Sequence, residues 1–126
     1  MQITGKTIRL TFLGGALGSL VRFALYIFMG DLPSIILVNL FGSFLIGWLN
    51  GNKKYDTQEL NALWKVGFAG GFTTMSGFAA LIVLDTWGLS QQGTGWLALV
   101  GTTVITAVSL GAYWFSFKIS QGRSRE

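Results

Sequence analysis

The chain has no cysteine, no histidine, a single proline and only five acidic residues among its 126. Without thiolate or imidazole, the usual zinc sites and the nucleophile–histidine relays are excluded. Asp31, Asp56, Glu59, Asp85 and Glu126 all fall at expected helix ends or loops. No two of them are placed for general acid–base work, so an enzyme is not expected. Charge of either sign is scarce, at 11% of residues, against roughly 25% in soluble domains. Hydrophobic residues make up 51%, and the mean hydropathy is +0.55. A chain this short has too much surface to hide so much apolar area from water. Its solvent is therefore expected to be a bilayer. The net charge of +4 could suggest nucleic acid, but the basic residues form no stripe with interleaved aromatics.

Four apolar stretches are expected to cross the membrane, at 10–29, 34–49, 66–84 and 96–117. Residues 1–126 then form one all-α, four-helix transmembrane domain. The first stretch has the length of a span and lacks the short core and cleavage site of a signal peptide, so a retained helix is expected. Its Gly14, Gly18 and Ser19 suit close helix approach. Arg22 interrupts it. A charge at that depth either serves function or reaches for the nearer interface. Gly30 to Pro33 reads as a turn. In the second stretch Asn39 and Ser43 stand four apart on one face. Asn39 is either interhelical glue or a donor facing a polar path, and its company favours the second. Asp56-Thr57-Gln58-Glu59 can cap a short amphipathic helix. In the fourth stretch Thr102, Thr106, Ser109 and Tyr113 fall on one stripe. Such hydroxyls either bond back to their own carbonyls or line a path.

The third stretch is unlike the others. Gly67-Phe-Ala-Gly70-Gly71-Phe-Thr73-Thr74-Met75-Ser76-Gly77-Phe78 packs four glycines, two threonines and a serine into twelve residues. Glycine is the weakest ordinary helix former after proline, so a break is expected here. Broken backbone at membrane depth survives only when buried in protein or lining a polar cavity. It leaves amides and carbonyls without helical partners, free to meet an ion.

With four short-looped helices, both termini and the middle loop share one side. That side carries Lys6, Arg9, Lys53, Lys54, Lys65, Lys118, Arg123 and Arg125, and the opposite loops carry no Lys or Arg. The positive-inside rule then puts both termini in the cytoplasm of a multi-pass protein of the cell (inner or plasma) membrane.

Three motifs taken together carry a resemblance: Gly14-Gly15-Ala-Leu-Gly18-Ser19-Leu-Val-Arg22-Phe23, Val38-Asn39-Leu-Phe-Gly42-Ser43-Phe44, and Gly67 to Phe78. In this order and at this length the chain resembles the Fluc (CrcB) family of fluoride channels. The resemblance implies passive, fluoride-selective export that relieves cytoplasmic fluoride toxicity. It implies an antiparallel, dual-topology-type dimer with a central structural Na+ held by backbone carbonyls, which fall at Gly70 and Thr73 here. It implies an anion path lined by Asn39 and Phe78, with Arg22 near the pore mouth. Thr106 and Ser109, in the fourth stretch, resemble the family's polar track in kind, and Ser43 joins the expected anion path on the face it shares with Asn39.

Met75 stands where the family pattern has the first of two phenylalanines, and Gly77 where a threonine is usual. A ring edge carries partial positive charge and can face an anion; a thioether only fills similar volume. A homodimer of this type needs nearly balanced loop charges, whereas the count here is eight to zero. The chain is therefore expected to insert one way and pair with a related subunit of opposite bias. A weakly conducting partner subunit is the alternative. A small multidrug-type exporter is the more distant rival, since it needs an intramembrane carboxylate and Arg22 stands in the first helix instead.

Overall fold

The computed structural model describes residues 2–74, 76–77 and 95–123. The expected site residues Met75 and Phe78 lie outside them, as does the second half of the expected third span. The described backbone is helical, with no strand among the described residues. Helix α1 is Gly5–Met29 and α2 is Asp31–Gly51. A 3-10 turn at Lys53–Tyr55 leads to a helical run at 58–72. That run consists of α3 (Gln58–Leu60), a π-helical stretch (Asn61–Phe68) and α4 (Ala69–Phe72). Helix α5 is Gly95–Arg123. Among the described residues three segments are long and apolar enough to cross a membrane: Gly5–Met29, Asp31–Gly51 and Leu99–Gly122.

Each boundary has a local cause. Helix α1 begins five residues before the expected position because Thr4 caps it. The Thr7 amide donates to Thr4 Oγ1 at 3.3 Å, and the Thr4 amide donates to Thr7 Oγ1 at 2.9 Å. The expected four-residue turn after α1 shrinks to Gly30 alone, with φ +79°. Pro33 then sits inside the first turn of α2, where a missing N–H costs nothing. Thr57 caps the run at 58–72 as the sequence suggests, accepting from the Leu60 amide at 3.3 Å. Helix α5 passes its expected end at Phe117 because Ser120 is fully buried and donates to the Trp48 carbonyl at 2.7 Å. Nothing in the sequence announced the π-helical stretch. It forms the face against α1, where Thr11 Oγ1 donates to the Ala62 carbonyl at 3.3 Å.

Small and polar residues make up much of the interior, beside Val38, Leu49 and Phe72. Gly14, Gly18, Ser34, Asn39, Gly47, Ser116 and Ser120 are buried, while Phe12, Leu17, Phe23, Phe28, Trp114 and Phe115 face outward. In water that arrangement would be inverted; in lipid, association comes from close packing and interhelical hydrogen bonds.

Two seams carry the packing. Helix α1 runs parallel with 58–72, and α2 runs parallel with α5, its partners advancing from Phe44–Ser116 to Trp48–Ser120. At Gly18 an added Cβ would overlap the Phe68 carbonyl, and at Gly47 it would overlap Ser116 Oγ and the Tyr113 carbonyl. Lys6 pairs with Glu59, and Lys65 lies 3.5 Å from Asp56. The start of α1, the 52–57 loop and the end of α5 thus meet at one end of the bundle.

Candidate functional site

The run at 58–72 stops where the sequence predicts a break. The Ala69 carbonyl takes the last helical bond from the Thr73 amide at 2.9 Å, and a second from Thr73 Oγ1 at 2.8 Å. Thr73 itself is extended, at φ −76° and ψ 155°. Helical backbone resumes at 76–77. Thr74 begins the new turn, its Oγ1 accepting from the Gly77 amide at 3.2 Å and lying 3.0 Å from Ser76 Oγ. Hydroxyl to amide three residues on is an N-cap spacing. The carbonyl end of the run at 58–72 thus lies next to the turn that Thr74 caps.

Asn39, on α2 and 8% exposed, clasps the break. Its Nδ2 donates to the Thr74 carbonyl and to the Ile35 carbonyl, each at 3.0 Å. Its Oδ1 accepts from the Thr74 amide at 3.1 Å. Two carbonyls and one N–H around the side chain allow only one amide orientation. Each bond contributes roughly 1 kcal/mol net. Leaving both main-chain groups of Thr74 bare in lipid would cost several kcal/mol each. The second quantity is the larger, so the clasp matters chiefly for what it prevents. Gly42, one turn along α2, leaves room for the Thr73 methyl.

Helix α1 supplies the opposite side. Arg22 turns inward, and its Nη1 donates to the Thr73 carbonyl at 3.5 Å. Ser19 Oγ donates to the Gly71 carbonyl at 3.4 Å. Between α1 and α2 lies a cleft of about 220 Å³ whose lining includes Ser19, Arg22, Tyr26, Ser34 and Thr74. Phe23, Ile35 and Val38 complete its lining, so Arg22 brings the charge to a largely apolar cleft.

The structure thus gathers Arg22, Asn39, Thr73 and the neighbouring Gly70 around one break. Ser43, Thr106 and Ser109 make no hydrogen bond to this cluster. Thr106 is exposed and donates back to the Thr102 carbonyl at 2.8 Å. Ser109 is buried, and its hydroxyl has no partner among the described residues. Sequence reasoning gave Ser19 only a part in close helix approach and missed the capping role of Thr74. The Thr74-x-x-Gly77 spacing could have revealed the latter.

Among the described residues no cluster of His, Cys, Asp or Glu could hold a metal, so the candidate cation ligands are neutral oxygens. Gly70 is exposed, with open space where a Cβ would stand. Its α-helical donor would be the Thr74 amide, which goes to Asn39 instead. The Thr73 carbonyl keeps a second lone pair beside the long Arg22 bond. Two such oxygens suit a hard cation, which takes oxygen ligands.

These features define a helical membrane protein of several spans whose third helical run is interrupted and clasped by polar side chains of its neighbours. The chain belongs to the family described as "CrcB-like protein, Camphor Resistance (CrcB)", which it matches over residues 9–117. It is similar to the fluoride-specific ion channel FluC of Francisella philomiragia, with 33% identity over 130 residues, covering 94% of this chain and 97% of the relative. The protein of that name from Pyrococcus horikoshii is 28% identical, over 94% of this chain and 99% of its own length. The fluoride-specific ion channel FluC 1 of Corynebacterium glutamicum is 45% identical over 57% of this chain, a match spanning 64% of the relative. No solved structure matches the chain.

Proposed function

We propose that the chain is a subunit of a passive, fluoride-selective channel that lets fluoride leave the cytoplasm across the cell membrane. Family membership and the names of relatives matched over nearly their whole length support this reading. The observation that carries it is the clasped break. Main chain is opened between spanning helices and held open by Asn39, with Arg22 at its side.

Fluoride is small and strongly hydrated, so a path must replace its water with donors. The buried Ser109 hydroxyl has no partner among the described residues and can serve as such a donor. Ser43, Thr106 and the ring edge of Phe78 extend the series, with Met75 beside them. Each donor contributes on the order of 1 kcal/mol. Several modest donors suit conduction better than one tight site, because the ion must also leave. Arg22 attracts the anion to the cleft between α1 and α2. A Na+ held by the Gly70 and Thr73 carbonyls, between two inverted subunits, would supply fixed positive charge beside the anion path.

The gathering of Lys6, the 52–57 loop and the end of α5 at one end of the bundle supports cytoplasmic termini. The eight-to-zero charge bias supports one-way insertion and an antiparallel pairing with a related subunit of opposite bias. An apolar groove of about 480 Å³, lined in part by Phe41, Phe44, Phe68 and Phe72, offers that partner a surface.

Purified protein in fluoride-loaded liposomes tests the reading. Rapid fluoride efflux with little chloride efflux is expected, and Asn39→Asp should nearly abolish it. Full efflux from Asn39→Asp would mean that a charge at this break is not felt in the anion path. Because Met75 replaces a phenylalanine, the second reading is a partner subunit that conducts weakly alone. Efflux appearing only with the related subunit present would select it. Tagged termini test the topology, and comparable amounts of both orientations would remove the one-way partner.

A further inference from the structure

We propose that Asn39 is a positioning residue that keeps the third helical run open at Gly70 by diverting the hydrogen that would otherwise close it. In a continuous α-helix the Thr74 amide would donate to the Gly70 carbonyl, four residues back. Here it donates to Asn39 Oδ1 at 3.1 Å. The same side chain donates to the Thr74 carbonyl at 3.0 Å, so Thr74 is held at both ends by one amide. This imitates a main-chain partner. The third Asn39 bond, to the Ile35 carbonyl one turn back on its own helix, fixes the rotamer from which the other two are made. Both amide hydrogens are thereby occupied, so Asn39 acts through Thr74 and Gly70 and does not offer a hydrogen of its own to a passing ion.

Gly70 completes the arrangement. Its face is open, and a Cβ there would meet nothing within 4 Å. Its neighbours in the turn are engaged: the Ala69 carbonyl takes two donors from Thr73, and the Gly71 carbonyl takes Ser19 Oγ. The oxygen that loses its α-helical donor therefore belongs to an exposed residue. A carbonyl whose helical donor has been diverted is what a main-chain ligand for a cation requires.

The test is isotope-edited infrared spectroscopy with a single 13C=O label, in detergent and sodium-free buffer. In the unmodified protein the label at Gly70 should absorb at higher wavenumber than the same label at Ala69, whose oxygen is doubly bonded. Coincident bands would overturn the inference without any mutation. In Asn39→Leu all three bonds are lost, the Thr74 amide returns to Gly70, and the Gly70 band should move down. Asn39→Asp keeps the acceptor for Thr74, so its Gly70 band should stay while fluoride efflux falls. A downward shift in Asn39→Asp, or none in Asn39→Leu, would overturn the inference. Its link to flux rests on the channel reading, but the carbonyl bands do not. Silent efflux with the expected bands would sink the channel and leave Asn39 in this role.

Discussion

The two seams of the bundle use the same materials to opposite ends. Helix α2 meets α5 through Gly47, with Ser116 Oγ donating to the Phe44 carbonyl at 2.8 Å and Ser120 Oγ to the Trp48 carbonyl at 2.7 Å. Both helices are continuous there, so the serines add second bonds to carbonyls already in helical ladders. Helix α1 meets the run at 58–72 through Gly18, with Thr11, Ser19 and Arg22 donating to the carbonyls of Ala62, Gly71 and Thr73. That seam starts on a π-helical stretch and ends on a break. Side-chain donors decorate a finished ladder in the first case and stand in for a missing one in the second. A small-residue seam therefore says that two backbones are close, and only the condition of the backbone behind it says whether the contact is scaffold or site.

Filling either seam should have the largest effect and should not tell them apart. Gly18→Leu and Gly47→Leu both place a side chain into main-chain atoms that cannot retreat, at a cost above about 3 kcal/mol. Little folded protein should survive size-exclusion chromatography in either case. Gly111→Leu, where a Cβ would meet nothing within 4 Å, should behave like the unmodified protein. If Gly18→Leu folded normally, the close approach at that seam would be refuted.

Trimming donors should separate the seams. Arg22→Gln weakens the attraction at the Thr73 carbonyl and should lower fluoride efflux by about tenfold, consistent with one hydrogen bond to a charged group. Its melting temperature should change little. Ser116→Ala, on the scaffold seam, should do the reverse: a loss of roughly 1 kcal/mol in stability, with efflux unchanged. Matched liposome and thermal-melt measurements on the two variants would erase the distinction if each moved both quantities alike.

Much of this was legible in the chain. Gly70-Gly71-Phe-Thr73-Thr74 carries its weakness as a helix in its own composition, and the break falls at Thr73. The outward apolar surface follows from the scarcity of charge. The partners of Asn39 could not be read, because they depend on residue 74 arriving beside residue 39, a contact with no periodic trace. The π-helical stretch was equally hidden, since Asn61 to Phe68 has ordinary helical residues and differs only in its bonding against α1. Helix α5 outran its expected end because a hydropathy reading stops at Lys118, whereas the buried Ser120 holds the helix beyond it.

Ser109 and Asn39 sharpen the comparison inside the bilayer. Each is 8% exposed, yet one side chain is fully engaged and the other has no partner among the described residues. A buried hydroxyl without a partner is a standing cost of roughly 1–3 kcal/mol. Ser109→Ala should therefore raise stability by about 1 kcal/mol while lowering fluoride efflux. Opposite signs from one substitution are hard to obtain unless the hydroxyl is kept for an ion. A fall in both quantities would make Ser109 structural.

The smallest effect is expected where the start of α1 and the run at 58–72 meet water. The Asp56 carboxyl is held below its ordinary value, first by the hydrogen bond from Asn61 Nδ2 at 2.8 Å and then by the charge of Lys65. A lowered native pKa means that the unfolded chain binds the proton more readily. Stability therefore rises with pH through that interval. The contribution is complete above the ordinary aspartate value and is lost as pH falls through the depressed one. Asp56 is well exposed, so the slope will be shallow and screened by salt. Melting temperatures of the unmodified protein and Asp56→Asn should converge as the pH drops below the usual carboxylate range and separate slightly above it, more so at low ionic strength. Curves that stayed parallel across that range would mean that the Asn61 and Lys65 contacts do not tie the loop to the seam.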